Sequence, residues 1–104
     1  MSNPDEEIRR TESLLRQVTS SELKLLVTDL SLANTFLLRA RTSRDEAARL
    51  RNRETARRAH EQIGKALQRI QHSDGAADVD GQCTTIANGL DALKADLQQL
   101  GEEF

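Results

Sequence analysis

Two apolar ladders constrain this chain more than any other feature. Leu23, Leu26, Leu30, Ala33, Leu37 and Ala40 step 3-4-3-4-3, and Cys83, Ile86, Leu90, Leu93, Leu97 and Leu100 repeat the same steps. That spacing winds one apolar seam down one side of an α-helix, so each segment is built to pack against another helix. The expected fold is all-α, an antiparallel bundle of three long helices plus a shorter N-terminal helix. A single domain over 1–104 is expected, in which the N-terminal helix over 1–19 either completes the bundle or hangs loosely from it. The chain has no Trp or Tyr and two Phe, so its core must be aliphatic and it offers no aromatic platform for stacking bases.

Helix boundaries follow from punctuation. Asn3 as N-cap, Pro4 at the first helical position and Asp5, Glu6 and Glu7 in the first turn predict a helix over about 4–18. Its apolar residues are Ile8, Leu14, Leu15 and Val18. The step of five from Val18 to Leu23 breaks the ladder's phase, and Thr19 and Glu22 have capping-box spacing, so a bend is expected at Thr19-Ser20-Ser21. The second helix, about 20–42, carries a further stripe of Leu25, Leu32 and Phe36. A helix apolar on two sides is expected to lie centrally, with neighbours on both. Ser43 with Glu46 reads as a capping box opening a third helix at about 44–71. By helical rotation its inner face is Ala48, Asn52, Ala56, Ala59, Ile63, Ala66, Leu67 and Ile70. Residues 72–81 read as a loop, and the last helix runs from Asp78 or Asp80 to a stop at Gly101.

Composition excludes several function classes. A net charge of −2 exerts no global pull toward nucleic acid or anionic lipid. The Leu-rich run 23–40 is interrupted by Lys24, Asp29, Asn34 and Arg39, which fits a core helix rather than a membrane span. A lone cysteine, Cys83, and an acidic N-terminus without an apolar stretch lead to the expectation of a cytoplasmic protein without a signal peptide. No metal or cofactor is expected. His60, His72 and Cys83 lack a paired ligand at helical spacing, and the calcium-loop likeness of Asp78-Val79-Asp80-Gly81 meets Ala76 and Ala87 where ligands are needed. Cys83 has no histidine nearby in sequence to activate it and reads as a small core hydrophobe rather than a nucleophile.

Two clusters carry functional alternatives. Between Arg39 and Arg58 stand eight Arg and three acids. Arg44, Arg51 and Arg58 fall on one flank of the third helix and Arg49, Arg53 and Arg57 on the other. Two such rails read as solvated stems beside an Ala seam, with Asp45 to Arg49 and Glu54 to Arg58 as i,i+4 pairs; the alternative is a basic surface for nucleic acid or phosphate. The string Ala56-Arg57-Arg58-Ala59-His60-Glu61-Gln62-Ile63-Gly64-Lys65-Ala66-Leu67 resembles the phosphoacceptor box of sensor histidine kinases. That resemblance implies His60 as phosphate acceptor and Glu61 as its general base. The chain departs from the pattern in having no nucleotide-binding box, and in having Ile63 where stand-alone phosphotransfer bundles place Lys.

Over residues 22–70, the run Leu30 to Arg41 followed by Asn52 to Glu61 resembles small uncharacterised bacterial all-helical proteins built on a hairpin. It is more loosely similar to tetratricopeptide and microtubule-interacting-and-transport hairpins. The expected function is therefore a non-enzymatic helical module that binds a protein partner or itself. Histidine phosphotransfer through His60 and Arg-mediated nucleic-acid binding stand as alternatives.

Overall fold

The protein, seen in a computed structural model that describes residues 4–72 and 79–104, is an all-α antiparallel bundle. Its helices are α1 (Pro4–Thr42), α2 (Glu46–Gln71) and α3 (Asp80–Gln99). The shorter N-terminal helix expected over 4–18 is present as the leading turns of α1, which continue through Thr19-Ser20-Ser21 without interruption. The bend expected there does not form. Those residues include neither Gly nor Pro, and Ser and Thr fit a helix when their hydroxyls bond back one turn. Thr28, Thr35 and Thr42 do this further along α1, donating to the carbonyls of Lys24, Ser31 and Leu38. The acidic first turn (Asp5, Glu6, Glu7) and basic last turn (Arg39, Arg41) of α1 match its macrodipole. Asn3 and residues 73–78, which include most of the expected loop and Asp78, lie outside the described residues.

The turn into α2 differs in detail from the Ser43–Glu46 box. Asp45 is the N-cap, its carboxylate accepting from the Ala47 amide at 3.1 Å, while Ser43 Oγ accepts from the Asp45 amide at 3.3 Å. A carboxylate two residues ahead of the first free amide outcompetes a hydroxyl two residues further back. At the same end of the bundle, beside this turn, α3 closes in a Schellman motif. Gly101, at φ +98°, donates to the Gln98 carbonyl and Glu102 to that of Leu97, both at 3.0 Å.

Both ladders are buried as their spacing requires, Leu30 and Leu100 in part, and they define two layers. At one end Leu23 and Leu26 of α1 meet Ile63, Leu67 and Ile70 of α2 and Cys83, Ile86 and Leu90 of α3. At the other, Ala33, Leu37, Ala56, Leu93 and Leu97 form a tighter layer in which small residues on α1 and α2 let the leucines of α3 fill the centre. Leu30 bridges the two and nests against Gly89, where an added Cβ would come within 2.5 Å of its Cδ2.

Helix lengths decide the outline. At 1.5 Å per residue α1 is about 58 Å long, α2 about 39 Å and α3 about 30 Å, and the molecule measures 67 × 19 × 16 Å. Since Leu23 already packs beside Ile70 and Cys83 at the end of the bundle, the leading turns of α1 extend past it.

Candidate interaction surface

The outer side of α1 carries more apolar surface than the bundle covers. Leu14, Val18, Leu25, Leu32 and Phe36 fall within about 40° of one another at 100° per residue. Leu25 is 62% exposed and Leu32 52%. The central placement expected for this helix is therefore corrected: α1 has its two neighbours on its seam side, and its second stripe has none among the described residues. Phe36 alone of the stripe's inner members is half-buried, with the Arg39 guanidinium 5.8 Å above its ring. Beside the stripe runs a groove between α1 and α2, floored by Ala33 and Ile63 and walled by Leu32, Phe36, Ala59 and Ala66. Asp29 and Gln62 stand at its lips. By rotation Glu22 joins Asp29 on the α1 side, while Arg51, Arg58 and Arg69 border the α2 side.

The arginine rails separate by role. Arg44, Arg51 and Arg58 are exposed, Arg58 pairing with Glu54 at 2.8 Å. The opposite rail is partly buried and serves the fold. Arg49 donates to the Ser43 carbonyl at 2.9 Å, capping the α1–α2 turn rather than reaching Asp45. Arg53 donates to the Leu100 carbonyl and faces Glu102 at 3.6 Å, so one guanidinium meets the negative end of α3 and a carboxylate together. On the third side Arg41 pairs with Asp96 at 3.4 Å.

His60 is partly buried on α2, its ring edge-on to Phe104 with centroids 5.0 Å apart and planes at 72°. Lys94 sits 5.4 Å over the other ring. Burial holds the His60 imidazole below its ordinary 6.5; the Leu90 backbone contact and Asp91 oppose that shift, and Lys94 adds to it. Glu61 is exposed and pairs with Lys65 at 3.3 Å. Cys83 is 1% exposed, and burial, reinforced by Asp80, pushes its thiol upward. Among the described residues no three His, Cys, Asp or Glu gather as a metal site, and no helix is long and apolar enough to cross a membrane.

Sequence reasoning missed the docking of the C-terminal tail on α2. Arg53 to Leu100 and His60 to Phe104 join residues more than forty apart, and no periodicity announces such contacts. Set against protein-family models, characterised proteins and solved structures, the chain matches none of them.

Proposed function

We propose that this chain is a non-enzymatic, cytoplasmic helical module that binds another protein through the outer stripe of α1 and the adjoining α1–α2 groove. The observation that carries the reading is the exposure of Leu25 and Leu32 in register with Leu14 and Val18. A continuous apolar stripe of that length beside a small-residue groove has the form in which an amphipathic helix is received, with anchors at helical spacing. The unpaired thiol of Cys83, buried in the core, supports a reducing compartment.

The site chemistry gives the alternatives less support. Phe104 packs on the His60 ring that a phosphoryl donor would have to reach, and Glu61 is engaged with Lys65. Arg58 is screened by Glu54, and Arg49 and Arg53 are turned to structural carbonyls.

A photo-cross-linking side chain placed at Leu32 in the intact cell tests the reading, with the same group at Glu61 as control. Cross-linking to a discrete protein from position 32 alone is expected. Equal labelling from both positions, or none from either, would overturn the assignment.

A further inference from the structure

The leading turns of α1 and the α1–α2 groove are two uncovered surfaces of one chain, and each has what the other lacks. Ile8, Leu14 and Val18 are all more than half exposed. They span about 120° of the helix circumference, too wide for a single seam and suited to a helix seated between two others. The groove, with Leu32 and Phe36 on one wall and Ala59 and Ala66 on the other, is a position between two helices. The small residues of α2 allow a third backbone to come close.

We infer that the occupant of this groove is the leading segment of α1 from a second copy of the chain, exchanged reciprocally. This rests on the interaction-module reading and names its partner. Two copies related by a two-fold axis near Ser20 stand end to end, each sending residues 4–18 along the other's α1 and α2. In that antiparallel register Ile8 lies level with the second copy's Leu32, and Leu14 level with its Leu25. Ile8 and Leu14 then each have an exposed apolar counterpart at about their own height, while Val18, close to the axis, lies level with Glu22.

Charge fits as well as height. The acidic first turn, which includes Glu6, reaches the groove's far end, where α2 presents exposed Arg51 beside the Arg58–Glu54 pair. Length fits too: 15 residues make about 22 Å of helix, the span from Leu25 to Phe36 with a turn to spare. Two such contacts bury about 900–1,400 Å² in total if a third to a half of each helix surface is covered, which places the dimer at the lower edge of stable interfaces. Because one two-fold axis relates the two contacts, the interface as a whole is isologous and the assembly closes at two.

Sedimentation equilibrium of the full chain over about 1–100 µM, the range in which an interface of this size dissociates, provides the test. The expected result is a concentration-dependent approach to twice the 11.6 kDa protomer mass. Leu14→Arg and Leu32→Arg, both at exposed positions, should each sediment as folded monomers. A wild-type monomer across the range, or dimers unaffected by either substitution, would overturn the exchange. If a monomeric chain still gives a specific cross-link from position 32 to a different protein, the second copy is refuted while the interaction module stands.

Discussion

Replacing Leu93 by Ala should be the most damaging single truncation in the bundle. Leu93 is wholly buried in the tight layer with Ala33, Leu37, Ala56 and Leu97. Three carbons leave the core, worth about 2.4 kcal/mol at about 0.8 per carbon. The space they vacate, about 80 Å³, adds up to about 2 kcal/mol where neighbours cannot relax into it. Here they cannot, because Ala33 and Ala56 have no side chain beyond Cβ to swing inward, and closing the gap requires moving α1 and α2 bodily. A cost of about 4 kcal/mol follows, a third or more of what a domain of this size has. Urea titration followed by far-UV circular dichroism should show an equal m-value and a sharply lower midpoint, and thermal melting a loss of about 15–30 °C. Leu32→Ala, measured below 1 µM, should cost less than about 0.5 kcal/mol, since its side chain is half exposed in the protomer. A Leu93→Ala cost under about 1 kcal/mol, or a Leu32→Ala cost as large, would refute the layering described.

Other outcomes follow from individual sites. Gly64→Ala should raise stability by about 0.5–1 kcal/mol, because its new Cβ meets nothing within 4 Å and glycine is a poor helix former; calorimetry reads it directly. Asp45→Ala should lower stability by about 1 kcal/mol through loss of the α2 cap, measured by the same urea titration. Arg53→Met should free the tail, seen as faster hydrogen exchange at the Gly101 and Glu102 amides, with a loss of about 1–3 kcal/mol. His60 binds its proton more weakly folded than unfolded, so its contribution is fully present above about pH 6.5 and is lost as pH falls from there toward the lowered folded value. His60→Gln should flatten that part of the stability-versus-pH curve, and incubation with acetyl phosphate should leave the wild-type mass unchanged.

The seams of α1 and α3 were legible because burial against helices demands one spacing and the sequence keeps it from Leu23 to Ala40 and from Cys83 to Leu97. The continuity of α1 was not. Reading a phase break at Val18–Leu23 as a bend assumed that residues on either side pack on the same core. The leading turns extend beyond that core, so their apolar residues have no reason to share its phase. The second stripe, Leu25, Leu32 and Phe36, was visible as apolar, but a pattern on one helix states only that a surface is to be covered. Whether the cover comes from the same chain depends on how many helices the chain has left to supply. The roles of Arg49 and Arg53 were hidden for a different reason: a carbonyl at a helix end or in a turn is an acceptor at every residue type, so nothing in the composition marks which one a guanidinium will find.

The unbroken passage of α1 through Thr19-Ser20-Ser21 has a mechanical consequence. A stiff rod clamped over its last 20 residues and projecting past the bundle over its leading turns is a lever, and its fulcrum is the Leu23 layer. A tilt of about 10° in the clamped part displaces the tip by about 5 Å, close to a full turn of helix. A change in packing around Leu93 or Gly89, too small to alter the bundle's outline, would therefore be read out as a change of position at Pro4.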